Sequence, residues 1–140
     1  MNAKIFYSII TIILTTFYGC KKIDLEHDEA RNIEIKVFDF SKLKHGEYNG
    51  YYAGGMYGWR ENECLVMVDS ISKDSGRVAK IELIRSAEDR SQSLFDELYK
   101  RVIEKQSLQV DVISGATLTS KAHLKAIEDA LMKSEQGNID

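Results

Sequence analysis

The segment from Asp111 to Ser120 reads DVISGATLTS and gathers hydroxyl side chains around a glycine, between a β-branched run and a helical pattern. A helix that starts near Leu118 leaves backbone N–H groups unpaired in its first turn, and its partial positive charge favours phosphate. Gly115 allows a close approach of the backbone to a ligand. Helix capping alone would explain the same residues. The hydroxyls able to cap the helix or bind phosphate oxygens are those of Ser114, Thr117, Thr119 and Ser120.

The length and the charge balance restrict the class of protein. At 140 residues the chain has room for one small domain. It has 19 Lys and Arg against 22 Asp and Glu, and neither sign forms a long block. This balance gives no indication of a nucleic-acid partner.

The N-terminus is typical of an exported protein. Met1 to Lys4 carries the initial positive charge, and Ile5 to Phe17 contains no charged residue. This apolar run is shorter than the about 20 residues that span a bilayer comfortably, so it fits an export signal. Gly19-Cys20 resembles the lipobox of bacterial lipoproteins, which implies a signal peptide over 1–19 and a diacylated Cys20 on the extracytoplasmic face of a membrane. The alternative is an uncleaved N-terminal anchor with an incidental cysteine.

The rest of the chain predicts a polar tether followed by one folded domain. Residues 20–32 are charged and lack an apolar period, whereas Ile33 to Val37 alternate as in a half-buried strand. We therefore expect the folded domain to cover 33–134, with a frayed tail over 135–140. A turn-forming SKDSG separates Glu63–Ile71 from Arg77–Ile84, which predicts a hairpin.

The second half of the domain has helical periodicity on both sides of a short strand-like run. Leu94, Leu98 and Val102 lie on one helix face, and a second helix is predicted over 118–133. LQVDVI, 108–113, predicts a short strand between them. In the hairpin, Ala79, Ile81 and Leu83 are expected to point to the buried side. The fold class is α+β: a small antiparallel sheet packed with two helices.

Two parts of the sequence resemble one known family. DVISGATLTS followed by AIEDAL is similar to the flavinylation motif of the FMN-binding domain in exported subunits of sodium-translocating NADH:quinone reductase. HGEYNGYYAGG resembles the opening Asp-Gly-x-Tyr-x-Gly of that domain, with His45 in place of the aspartate. The resemblance implies that Thr117 is esterified to the phosphate of FMN. It also implies that a flavin transferase recognises Asp111. The phosphate would lie among Ser114, Gly115, Ala116, Leu118, Thr119 and Ser120.

The function implied by this resemblance is electron transfer by a membrane-anchored carrier. FMN would supply the redox chemistry, and the partners would be the transferase and a membrane or periplasmic oxidoreductase. No second cofactor motif or nucleophile–base pair supports an autonomous enzyme. Two alternatives remain open: a sensor or accessory module that binds FMN noncovalently, and a flavin-free lipoprotein that mediates assembly.

Other candidate residues are given structural roles. Cys64 lies in an apolar strand and is expected to be a small buried hydrophobic residue. His123 is expected to face solvent because Lys121 and Lys125 flank it, and neither His27 nor His45 is expected to bind metal. Four aromatic residues could stack on or shield a flavin, although each taken singly is expected to be a sheet or core residue: Tyr51, Tyr52, Tyr57 and Trp59.

Overall fold

The computed structural model describes residues 21–72 and 75–137. The described chain forms a three-stranded antiparallel sheet packed with helices, so the predicted α+β class is confirmed. In chain order the elements are helix α1 over 21–31, a 3₁₀ turn at Phe40–Lys42, strands β1 (Gly46–Tyr52), β2 (Asn62–Ser72) and β3 (Ser75–Ser86), and helices α2 (Gln92–Lys105) and α3 (Thr117–Gln136).

The sheet has the order β1-β2-β3, and its β2–β3 hairpin is the one that the sequence predicts. The pairing shifts between Met67 and Val68, so Ala79 is an extra residue in β3. Val78 and Ile81 are consequently buried, whereas Ala79 is exposed. The predicted alternation was wrong at Ala79 because a β-bulge reverses the faces of the strand at that point.

Helix α3 lies against β1 along its length. Gly50 is close to Ala126, and near the other end Ser134 exchanges hydrogen bonds of 3.1 Å with the backbone N–H and C=O of Lys44. Two apolar layers, one from the sheet and one from α2 and α3, form the core. α3 extends to Gln136, and residues 138–140 of the predicted tail lie outside the described residues.

The predicted strand over 33–37 does not form. The segment belongs to no strand, and side chains of α3 bind its backbone. The Lys36 N–H donates to Glu128 Oε2 at 3.0 Å, and Lys125 Nζ donates to the carbonyl of Glu34 at 3.2 Å. The prediction was wrong because a helix, rather than a neighbouring strand, satisfies these backbone groups.

The predicted strand over 108–113 is also absent. Arg101 Nη1 donates to the Asp111 carbonyl at 2.8 Å, and the Ile113 N–H donates to Ser120 Oγ at 3.1 Å. The apolar residues of this run still contribute to the core, since Leu108 is buried. The hydrophobic pattern of 108–113 therefore predicts burial correctly. The backbone of this segment is bound by side chains and not by a neighbouring strand.

Residues 21–31, within the stretch expected to be a tether, form helix α1. Glu26 is 1% exposed and Ala30 is 3% exposed, so one face of α1 packs on the domain. Glu26 Oε1 accepts a hydrogen bond of 3.0 Å from Arg60 Nη1. An apolar period is absent from this stretch because Glu26, a charged residue with a buried partner, occupies the packed face of α1. The predicted signal peptide and Cys20 lie outside the described residues, and no helix within 21–72 or 75–137 has the length and hydropathy to span a membrane.

Gln106 joins α2 to the edge of the sheet. Its side chain accepts from the Val78 N–H at 2.9 Å and donates to the Val78 carbonyl at 2.8 Å, as a neighbouring strand would. We expect Gln106→Ala to reduce the free energy of unfolding by about 2 kcal/mol, because both groups of Val78 lose a partner. Urea denaturation measures this loss. The control is Gln92→Ala, whose exposed side chain bonds Asp96 and no other residue within the described ranges. Equal losses in the two variants would contradict the prediction.

Candidate functional site at the start of α3

The start of α3 lies at the end of the sheet where β1 ends and β2 begins. Ala126 contacts Gly50 near the end of β1, and Ser134 contacts Lys44 just before β1 begins. Helix α3 therefore runs antiparallel to β1. Thr119, in the first turn, bonds Glu88, which lies just after β3. The glycine-rich loop 53–61 connects β1 to β2 at this same end. The tertiary structure thus brings together the two sequence motifs, one at each side of the helix start.

The helix start is open and has no side-chain cap. Ala116 is the N-cap, and the first helical hydrogen bond joins the Ser120 N–H to the Ala116 carbonyl at 2.8 Å. The N–H groups of Thr117, Leu118 and Thr119 precede that bond and have no intrahelical acceptor. Gly115 has φ +75°, and a Cβ there would have no atom within 4 Å. The junction therefore has room for a ligand next to N–H groups that lack an intrahelical acceptor.

The structure divides the four predicted hydroxyl residues into two pairs. Ser114 and Thr117 are exposed. Thr119 is 2% exposed and donates to Glu88 Oε1 at 2.9 Å, and the buried Ser120 accepts from the Ile113 N–H. The hydroxyls of the second pair thus hold the loop and the helix together, while those of the first pair are accessible.

Glu88 is a residue that the sequence did not single out. One carboxylate oxygen binds Thr119, and the other, Oε2, is buried without a hydrogen-bond partner in the described part of the chain. A carboxylate beside the first turn of a helix stabilises it through the helix dipole. No sequence signal identifies this contact, since Glu88 lies in an ordinary polar loop that only the tertiary fold brings close to the first turn of α3.

The loop 53–61 folds back on the start of β2. Gly54, Gly55 and Gly58 have φ of +84°, +81° and +69°, a region that favours glycine. A Cβ on Gly54 would lie 2.1 Å from the Glu61 backbone nitrogen, so the close approach of the two chains also requires glycine there. The glycines that the sequence associated with bends thus serve the shape of this loop.

The four candidate aromatic residues all lie at this end of the sheet. Tyr57 and Trp59 stack with ring centroids 5.3 Å apart, and Trp59 is 41% exposed. Tyr51 is 45% exposed and donates from its hydroxyl to Glu61 Oε1 at 3.1 Å. Tyr52 is half-buried. Exposed aromatic surface is therefore present at the end of the sheet toward which α3 begins, mainly on Tyr51 and Trp59.

His123 is buried, and the expectation that it faces solvent was wrong. It is 1% exposed, its Nδ1 lies 2.8 Å from the Tyr99 hydroxyl, and its ring stacks on Phe95 at a centroid distance of 4.3 Å. The flanking Lys121 and Lys125 bind carbonyls of Ile33 and Glu34 in the extended segment before β1, and Lys121 also binds the carbonyl of Arg31 at the end of α1. Lysines on α3 therefore do not indicate a solvent-exposed face, because α2 and the extended segment before β1 cover several sides of this helix.

Burial of His123 predicts a loss of stability in acid. Burial lowers the pKa of this imidazole from 6.5 to about 4. A depressed histidine pKa means that the folded state prefers the neutral ring. The neutral ring of His123 contributes about 3 kcal/mol to the free energy of unfolding. This contribution is fully present above pH 6.5 and is lost as the pH falls toward 4. Urea denaturation of the wild-type protein and of His123→Phe between pH 7 and pH 4 measures it; parallel pH dependences would contradict the assignment.

The remaining candidate residues are Cys64, His45 and His27, and their surroundings are those of structural residues. Cys64 is fully buried, as expected, and burial raises the pKa of its thiol to about 12. His45 Nδ1 lies 2.8 Å from the Val68 carbonyl, to which it donates, and His27 is half-buried. Among residues 21–72 and 75–137, no group of three or more potential metal-binding side chains is found.

Asp111 is exposed on the approach to the helix start. Its carbonyl, not its carboxylate, is bound by Arg101 Nη1. Asp111 lines a shallow depression with Arg101, Glu104, Lys105 and Val110. The carboxylate is therefore accessible to another molecule, while the backbone that carries it is fixed to α2.

Together these features define a small α+β domain in which the open start of α3 carries an exposed threonine, at the same end of the sheet as an aromatic, glycine-rich loop. The model of the FMN-binding domain family matches residues 25–132, and this chain belongs to that family. The match begins inside α1, in agreement with the packing of that helix on the domain. A search of curated proteins gave no match, and neither did a search of solved structures.

The residues at the helix start fit the phosphate of FMN. Gly115 leaves open space, the first-turn N–H groups lack intrahelical acceptors, and the Thr117 hydroxyl is exposed. These are the donors and the steric freedom that a phosphate needs at a helix start. FMN binding by this domain is thus consistent with both its family and its local geometry.

Proposed function

We propose that FMN is attached covalently to Thr117 and that the protein is a lipid-anchored electron carrier on the extracytoplasmic face of a membrane. The observation that carries the proposal is the exposed Thr117 at an uncapped helix start within Ser114-Gly115-Ala116-Thr117. A phosphate on this oxygen would lie beside the free N–H groups of the first turn. The helix would therefore stabilise the negative charge of the ester.

The packing favours Thr117 over its neighbours as the acceptor. Thr119 and Ser120 are buried and their hydroxyls are occupied by Glu88 and by the Ile113 N–H. Ser114 is exposed but precedes the helix, whereas Thr117 is its first residue. Of the four hydroxyls, that of Thr117 combines accessibility with a position in the first turn.

Attachment requires a flavin transferase with FAD as the donor. The Thr117 oxygen loses its proton and forms a bond to the phosphorus of the FMN portion. The pyrophosphate bond of FAD breaks, and AMP is the leaving group. We propose that the transferase recognises Asp111 together with the Ser-Gly-Ala-Thr core, and the exposure of the Asp111 side chain supports this role.

Bound FMN supplies the exchange of one or two electrons, while the chain holds it in place. A covalent bond suits an exported carrier, because a flavin that dissociates outside the cytoplasm is lost by diffusion. We propose a membrane or periplasmic oxidoreductase as the redox partner, and acylated Cys20 as the anchor. The export-type N-terminus and the Gly19-Cys20 pair support the location.

Intact mass together with visible absorption tests the proposal. The chain is produced with and without a flavin transferase and a supply of FAD. We expect a yellow protein heavier by one FMN less one water only when the transferase is present. Tryptic digestion places the adduct in the peptide 106–121, where fragmentation locates it at Thr117.

The same measurement separates the other candidate functions. An unmodified mass with colour that is lost on denaturation would indicate a module that binds FMN noncovalently. An unmodified, colourless protein made alongside an active transferase would indicate a flavin-free assembly role. Either outcome would overturn covalent attachment.

A further inference from the structure

Exposed apolar side chains are concentrated on α1 and the loop 53–61. Ile23 and Leu25 on α1 are 46% and 51% exposed, and Met56 and Trp59 on the loop are 64% and 41% exposed. Ile23 and Leu25 are two residues apart and project from different sides of α1, so the exposed apolar area that accompanies the helix lies on the loop. We call Met56 and Trp59, together with the adjoining start of α1 over 21–25, the α1–loop surface. Exposed large apolar side chains that lie close together mark a surface that contacts something other than water.

The helix and the loop form one unit through buried polar contacts. Glu26, 1% exposed, bonds Arg60 at 3.0 Å, and Glu29 Oε2 accepts from the Met56 N–H at 2.9 Å. Lys22 Nζ lies 5.5 Å from the centroid of the Tyr57 ring. Because a buried charge is costly without its partner, separation of α1 from the loop is strongly disfavoured. The α1–loop surface therefore has a defined shape.

The position of this surface in the chain identifies its occupant. α1 follows directly after Cys20, and the uncharged run over 5–19 comes immediately before that. A chain held in a bilayer by Cys20 would leave it at Lys21, one residue from the lysine that contacts Tyr57. The surface is thus the part of the domain nearest to the anchor.

The side-chain chemistry fits the boundary between lipid headgroups and acyl chains. Tryptophan and tyrosine prefer this boundary, because their rings are apolar and their polar atoms reach water. Lys21 and Lys22 lie at the end of α1 nearest the anchor and suit anionic headgroups. The carboxylates of Glu26 and Glu29 are turned toward the loop, and that of Asp28 pairs with Arg31 at 3.5 Å. Asp24 is exposed and projects from the side of α1 opposite Glu26, away from the loop.

We propose that the α1–loop surface rests on the lipid bilayer and that it orients the domain relative to the membrane. The proposal rests on the lipid anchor at Cys20 proposed above. Since loop 53–61 and the start of α3 lie at one end of the sheet, this contact would hold the FMN-binding end near the membrane. An orientation of this kind suits exchange of electrons with a membrane-embedded partner.

Trp59 provides a direct test because it is the one tryptophan in the sequence. The full chain is produced with export and lipidation but without the transferase, so that no FMN quenches the emission. It is placed in vesicles of equal parts phosphatidylcholine and phosphatidylglycerol. We expect a blue-shifted emission, protection from aqueous acrylamide, and loss of about half of the intensity when the lipids are brominated near the headgroup.

The matched control moves the reporter to the other end of the sheet. The double variant Trp59→Phe, Ile71→Trp replaces an exposed residue at the end of β2 next to the β2–β3 turn, where Ile71 is 64% exposed. We expect its emission to be quenched by acrylamide and unaffected by brominated lipid. Equal responses at the two positions would overturn the proposal.

Flotation of the vesicles distinguishes failure of this proposal from failure of the anchor. A vesicle-bound protein whose Trp59 is quenched only by acrylamide would overturn the membrane contact and leave the anchor in place. A protein that does not float with the vesicles would overturn both. If brominated lipid leaves the Trp59 emission unchanged, while attachment of FMN shields Trp59 from acrylamide, the surface covers the flavin instead. If brominated lipid quenches Trp59, but the chain does not acquire FMN even with the transferase, the membrane contact is supported and only the flavin proposal is contradicted.

Discussion

Thr117→Val is expected to abolish the covalent FMN adduct completely. The substitution retains the branched shape of the side chain but removes the oxygen that forms the phosphoester. Since Thr117 is exposed and does not cap α3, the fold should be retained. Surface changes of this kind alter the free energy of unfolding by about 0.5 kcal/mol or less. The measurement is intact mass after production with the transferase, with thermal unfolding measured on the same sample.

Thr119→Val is the matched control for this experiment. It removes a hydroxyl two residues further along the same helical turn, where the side chain is buried against Glu88. We expect this variant to keep the full FMN mass while losing about 1 kcal/mol of stability with its hydrogen bond. A Thr117→Val protein that still carries FMN would move the acceptor to another hydroxyl, with Ser114 the first to examine. Loss of the adduct in both variants would indicate disturbed recognition rather than a missing acceptor.

Gly50→Ala is expected to cause a large loss of stability. An added Cβ would lie 2.0 Å from the Ala126 carbonyl oxygen and 2.9 Å from Ala130 Cβ. The first contact is with backbone, which a change of rotamer does not relieve, so α3 must move away from β1. We expect a reduction of about 3 kcal/mol or more in the free energy of unfolding, out of about 5–15 kcal/mol for a domain of this size. Urea denaturation followed by circular dichroism measures it.

Asn49→Ala tests whether this effect comes from the close contact. Asn49 is the preceding residue of β1 and its side chain is exposed. The hydrogen bond from Lys133 Nζ to the backbone carbonyl of Asn49 does not involve the Asn49 side chain. We expect a change within about 0.5 kcal/mol for this variant. Similar losses at both positions would show that strand propensity, rather than the packing of α3, governs this part of β1.

The two glycine-containing motifs acquire distinct physical roles in the structure. Gly50, in the motif near β1, permits α3 to pack directly on the sheet. Gly115, at the start of α3, has no neighbour and leaves the helix start accessible. The first glycine is thus needed for the fold, and the second for the space around the proposed ligand. Substitution of Gly50 is therefore expected to disrupt packing, whereas substitution of Gly115 is expected to strain the backbone, whose φ of +75° favours glycine, and to occupy the space beside the helix start.

Local periodicity was sufficient for much of the fold. The β2–β3 hairpin, α2 and α3 follow from alternation, turn residues and helical spacing, because each of these elements buries one face. The same rule predicted strands over 33–37 and 108–113, where extended chain is bound by side chains of helices. Alternation shows that one side of a segment is buried. It does not show whether a neighbouring strand supplies the hydrogen bonds.

The sequence alone determined the α+β class, the helix start near Leu118, the burial of Cys64 and the hydroxyl-rich segment that the family match includes. Only the tertiary structure decided which hydroxyls are free, because the contacts of Thr119 with Glu88 and of Ser120 with Ile113 join parts of the chain without a local pattern. It likewise decided that His123 is buried. In each case the reason is the same: solvent access depends on which elements pack together, and a side chain's neighbours in sequence do not fix its neighbours in space.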